Sequence, residues 1–147
     1  GDVQDIEDAW FFLHTLFERV WDHRFLYRDL NHLLSGNRHL ETHFHAVLER
    51  KTQALRQMLE SLAAAGMMQV DPERVQTLSA SMAVMVTYWL SYEYVRDPRH
   101  AMEPESANRA MGRGAQHVLG LLTPYLSSPE LQQHLMALTS AYDENRA

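Results

Sequence analysis

The stretch Phe25-Leu26-Tyr27-Arg28-Asp29-Leu30-Asn31-His32-Leu33-Leu34 sets an adjacent Arg-Asp pair among apolar residues and is closed by Ser35-Gly36. Glycine tolerates the backbone conformations that follow a last helical turn, so it is a natural stop. The spacing predicts a short aromatic-led helix over residues 25–34. Downstream, Thr87-Tyr88-Trp89-Leu90-Ser91-Tyr92 places an aromatic cluster inside a longer apolar run. Between them lies a long charged segment with apolar residues three or four positions apart. Read in order, these three stretches indicate helices, and no convincing period-2 stretch competes with them.

Working outward, residues 3–22 form the first expected helix, with Ile6, Trp10, Leu13, Phe17 and Trp21 on one face. Asn37 can cap the third helix, which runs to about residue 65 and stops at Gly66. Leu40, Phe44, Val47, Leu55, Met58 and Leu62 make its apolar stripe, and Glu49, Arg50, Arg56 and Glu60 face water. Asp71-Pro72 is a start signal, an N-cap followed by proline in the first turn. The fourth helix then runs to about Arg96 and is apolar on most sides over residues 82–90, which predicts a central position. Asp97-Pro98 ends it, and residues 97–104 form a loop. Pro104 opens a fifth helix to about residue 122, and Ser128-Pro129-Glu130 opens a sixth that ends near Tyr142. A polar, frayed tail is expected over residues 143–147. The expected architecture is an all-α bundle of about six helices, one domain over residues 1–147.

Composition narrows the function. A chain of 147 residues, 46% hydrophobic and 22% charged, can bury a real core. No apolar run approaches the roughly 18 residues that span a bilayer. No basic-then-apolar leader opens the chain. The absence of cysteine excludes disulfides, thiolate metal sites and cysteine nucleophiles, and fits a cytoplasmic location. The net charge of -6 opposes phosphate, so these residues alone are not expected to grip DNA. Gly1 in place of an initiator Met points to a trimmed chain. There is no glycine-rich phosphate loop, nucleophile elbow or apolar carboxylate pair, so no enzymatic activity is expected.

In this order, residues 25–34, the charged helix and the Thr87–Tyr92 cluster resemble the C-terminal regulatory domain of TetR-type bacterial transcriptional repressors. The similarity runs over roughly residues 5–125. The resemblance implies a domain that senses a small molecule and dimerises through its last two helices as a four-helix interface. It also implies that DNA is held by an N-terminal helix-turn-helix domain, which is expected to lie outside this chain. Ligand would bind among the first four helices, and repression is the sign expected by family.

Four sets of residues are candidates. Helical facing assigns an apolar ligand pocket to Trp10, His14, Phe17 and Trp21 on the first helix. Tyr27, Phe44, Met85, Trp89 and Tyr92 join them from other helices. Pockets are mostly apolar with a few placed polar groups, and the tips of Trp, Tyr and His suit that. The competing reading is ordinary core packing at helical spacing. Lys51 and Glu93 fall on apolar stripes; each either reaches water past its neighbours or reads a charged group on a ligand. Arg28 and Asp29, adjacent on one helix, are expected to point apart towards neighbouring helices. His39 and His43, four residues apart, could chelate a metal, yet no third ligand is evident, so neither a metal nor a cofactor is expected.

The fourth set is a dimer surface. The fifth helix offers Ala107, Ala110, Met111, Gly114, Ala115, Val118 and Leu122, and the sixth offers Leu131, Leu135 and Leu138. Glycine within a helix costs about 1 kcal/mol, which is understandable if another helix packs closely there. The expected function is ligand sensing and homodimerisation within a transcriptional regulator, with an apolar or amphipathic effector and no membrane partner. The alternatives are a helical-bundle metalloenzyme using histidines such as His14, His39 and His43, and a structural dimerisation module with a filled core.

Overall fold

Asp5 starts the first helix by accepting a hydrogen bond from the Asp8 amide at 2.8 Å, which satisfies one of the free donors of the first turn. In this computed structural model, which describes residues 3–144 and side chains through residue 140, α1 spans Ile6–Asp22. Its buried face carries Ile6, Ala9, Leu13, Leu16, Phe17, Val20 and Trp21. Each large apolar side chain so buried contributes roughly 1.5–3 kcal/mol.

The expected second helix is two. α2 spans Arg24–Arg28 and α3 spans Leu30–Ser35, with the break at Asp29. The break changes the Arg28–Asp29 geometry. Arg28 donates to both Asp29 carboxylate oxygens, Nε at 2.9 Å and Nη2 at 2.7 Å. The two side chains therefore meet instead of pointing apart, because the chain at Asp29 no longer follows a helical path. The Arg28 hydrogen bond holds the Asp29 carboxyl below the usual carboxylate range.

α4 spans Arg38–Ala64 and is capped by Asn37, which accepts from the Leu40 amide at 3.0 Å. It ends at Gly66, whose φ of 82° is one that residues with a Cβ adopt at a cost. There Met67 N–H donates to Leu62 C=O at 2.9 Å and Gly66 N–H to Ala63 C=O at 3.1 Å, the paired closure of a Schellman end. α5 spans Pro72–Arg96, capped by Asp71 through the Arg74 amide at 3.0 Å.

A short 3₁₀ turn at Pro104–Ser106 leads into α6, Ala107–Gly120, and a second at Thr123–Tyr125 precedes α7, Pro129–Glu144. Between them, the α4–α5 and α6–α7 connections are stitched together. Gln69 N–H donates to Tyr125 C=O at 2.8 Å and Ser127 N–H to Met67 C=O at 2.9 Å. The Tyr142 side chain and residues 145–147 lie outside what is described. The fold is all-α: among the described residues there are seven α-helices and no strand.

α5 is the central helix. It packs along α4 and against α1, α2 and α6, while α1 lies against α6 and α7. One continuous core joins all of these, with Leu13, Phe17, Leu55, Leu59, Met82, Val86 and Leu119 at its centre. Among the described residues, no helix is long and apolar enough to cross a membrane.

Candidate functional site: a basic-rimmed cavity

A cavity of about 520 Å³ opens between α1, α2 and α4. That volume lies within the usual range for small-molecule sites. Leu16 and Val20 from α1, Tyr27 from α2 and Phe44 from α4 form its buried wall. Tyr27 and Phe44 meet edge to face, ring centres 5.5 Å apart. Leu26, Val47 and Ala54 continue the apolar lining. Arg19, His23, His43 and Arg50 are exposed around the opening.

Lys51 also lines this cavity, and it is only 8% exposed. Its ammonium donates to Tyr27 Oη at 3.1 Å and to Thr87 Oγ1 at 3.5 Å, and lies 4.8 Å from the centre of the Tyr27 ring. It does not snorkel to water, as its place on the apolar stripe allowed. Its neighbours close over it, and two hydroxyls hold it inside. No carboxylate lies within ion-pair distance of it among the described residues. Burial without a counterion lowers the Lys51 pKa to about 8. Burial raises that of Tyr27.

Glu93, the other charge on an apolar stripe, is treated differently. Arg113 of α6 clamps it with two bonds, Nε to Oε1 at 2.9 Å and Nη2 to Oε2 at 3.0 Å. Such fork-to-fork pairing satisfies both oxygens, so Glu93 needs no ligand.

A profile described as "TetR: Bacterial transcriptional repressor" matches residues 1–134. The chain belongs to the TetR family of transcriptional regulators. It is similar to the crystal structure of a TetR-family transcriptional regulator from Marinobacter aquaeolei VT8, with 28% identity and a TM-score of 0.77. That similarity covers 93% of this chain and 63% of the other. No curated protein matches.

The nine aromatic, histidine and methionine positions picked for the pocket of this TetR-family domain scatter. Tyr27 and Phe44 line the cavity described above. Phe17 and Trp89 pack inside the core against α6. The Trp89 indole donates to Ala110 C=O at 2.8 Å, and its ring lies near those of Tyr92 and His117. Tyr92 itself is 51% exposed, and Met85 is half-buried. Trp21 lies beneath the Arg24 guanidinium, 4.7 Å from its ring centre. Trp10 and His14 stack edge to face at 4.6 Å, and burial pushes His14 down against the pull of Glu18. Facing told which side of a helix turns inward, not which inward residues border a void. Arg19, His23 and Arg50 were missed because each sits on a polar edge. Their signal was a basic cluster flanking Lys51 on α4 and ending α1.

The expected dimer residues divide as well. Ala110, Met111, Gly114, Ala115, Val118, Leu122 and Leu135 are buried within the chain itself, so they offer no side-chain surface to a second copy. Gly114 shows why: a Cβ there would lie 2.6 Å from the Phe17 ring and 3.0 Å from Trp89. The small residue admits the Phe17 ring of α1 and the Trp89 ring of α5. Ala107, Leu131 and Leu138 remain partly exposed. The histidines His14, His39 and His43 belong to no group of three or more metal-capable side chains among the described residues.

Proposed function

We propose that this TetR-family chain is the small-molecule-sensing and dimerisation domain of a cytoplasmic repressor. The cavity between α1, α2 and α4 is the observation that supports sensing, because an apolar wall with a few polar groups is how small-molecule sites are built. α1 contributes Leu16, Arg19 and Val20 to that cavity and also packs against α6 and α7. A ligand there bears directly on the placement of α1. In the mechanism the family implies, α1 leads to a helix-turn-helix domain, and two such domains must enter major grooves about 34 Å apart. A ligand that prefers one spacing of the two α1 helices shifts the population by its difference in affinity between the two states.

For dimerisation, α7 offers exposed Met136 with partly exposed Leu131 and Leu138, and the outward face of α5 offers a longer apolar surface. Val84 (57% exposed), Tyr88, Tyr92 and Val95 (80% exposed) form one apolar stripe there. The exposed positions of α6 are Asn108, Arg109, His117 and Gly120, and none carries an apolar side chain. A second copy meeting this stripe about a two-fold axis would bury it against itself.

Native mass spectrometry of gently purified protein tests both parts. The expected result is a dimer carrying a non-metal small molecule. A bare monomer at micromolar concentration would remove the dimer and the mechanism that depends on it.

A further inference from the structure

Two charged side chains are buried among the described residues, Lys51 and Glu93. Glu93 has its counterion in Arg113; Lys51 has two hydroxyls and no anion. An ammonium has three donors, and the bonds to Tyr27 and Thr87 use two. No protein acceptor for the third is found among the described residues, and Lys51 lines the cavity. The lining includes Lys51, Arg19 and Arg50 and not one acidic side chain, in a chain with 19 acidic and 13 basic residues. Charge of one sign around a low-dielectric cleft raises the local concentration of the opposite ion. Besides Lys51, the charged and titratable groups of the cavity lining are Arg19 and His23 near the end of α1, Tyr27 of α2, and His43 and Arg50 of α4. None is an anion that could pair with it at neutral pH.

We infer that the cavity binds a small-molecule carboxylate with an apolar body, its carboxylate seated on the Lys51 ammonium beside the Tyr27 hydroxyl and its body against Leu16, Val20 and Phe44. This rests on the sensing reading and names the chemical class of its effector. Arg19 and Arg50 at the opening draw the anion in, and Lys51 holds it. A charge-assisted bond against an apolar wall is short and strong, and the carboxylate supplies the counterion that the fold leaves out.

The test compares head groups on one body by isothermal titration calorimetry. Hexanoate, decanoate and 2-naphthoate are set against 1-hexanol, 1-decanol, 2-naphthol and decyltrimethylammonium. The carboxylates are expected to bind about 10- to 100-fold more tightly than the matching alcohols, the range for a hydrogen bond to a charged group, and the cation least. Lys51→Met should collapse that preference while leaving the alcohols bound. Tyr27→Phe should reduce it several-fold. Alcohols or the cation binding as well as the carboxylates would overturn the inference and leave small-molecule sensing standing. No binding by any compound would overturn both. The head-group comparison on the unaltered protein decides the matter even if a variant fails to fold.

Discussion

At the residue scale, Lys51 is a stability cost that the proposed carboxylate effector would offset. Folded, it releases its proton near pH 8, whereas an unfolded lysine holds it to about 10.5. Between those values the unfolded chain binds more protons, so stability rises with pH across that window, and below it the burial penalty is present in full. The difference is worth about 3 kcal/mol at neutral pH. Lys51→Met fills the same space without the charge. We expect it to stabilise the empty protein by about 1–3 kcal/mol at pH 7, part of the gain being offset by the hydroxyls left unpaired. Urea denaturation should show that gain shrinking by about 1–2 kcal/mol at pH 9.5, where the folded lysine is already neutral. A gain identical at both pH values would show that buried charge is not its source. Lys51 stood out in the sequence as a charge on an apolar stripe. Whether it reached water depended on Tyr27 and Thr87, 24 and 36 residues away. No local pattern carries that information.

At the scale of elements, most starts and stops were legible because they are local chemistry. Asn37, Asp71-Pro72 and Gly66 act where they stand, through bonds spanning three to five residues. The break at Asp29 was not legible, since residues 25–34 continue one apolar pattern across it. What selects two short helices is their packing, α2 on α5 and α3 on α4. At Gly114 helices approach closely, and the side chains nearest to it, Phe17 and Trp89, belong to the same chain. Gly114→Ala gains about 1 kcal/mol of helix propensity. Its methyl meets the Phe17 ring at 2.6–2.7 Å, and Trp89 at 3.0 Å blocks an easy retreat. Overpacking of this kind costs about 1–3 kcal/mol. A net loss of about 1–2 kcal/mol in a chemical denaturation series is expected, partly restored by adding Phe17→Leu. A Gly114→Ala protein as stable as the parent would mean that the rings move aside freely.

At the scale of the whole molecule, the proposed assembly turns on the outer face of α5. Val84 and Tyr88 are exposed in the single chain, so charging them should leave its fold intact. Val84→Glu with Tyr88→Glu is expected to give monomers by light scattering, with helical circular dichroism unchanged. A dimer that survives both changes would place its interface elsewhere. The same stripe hid in the sequence because α5 is apolar on most sides over residues 82–90, leaving little polar face there to mark the outside. By itself the sequence determined what period and capping encode: helices, their order, most of their ends, and through those patterns the TetR resemblance. It also singled out Lys51 and Glu93 as charges that needed an explanation. Only the tertiary structure decided which of them found a counterion, which inward aromatics border a void, and which small residues face neighbours in the same chain. Those outcomes depend on distances between segments far apart in sequence, and helical periodicity gives each residue a direction without giving it a neighbour.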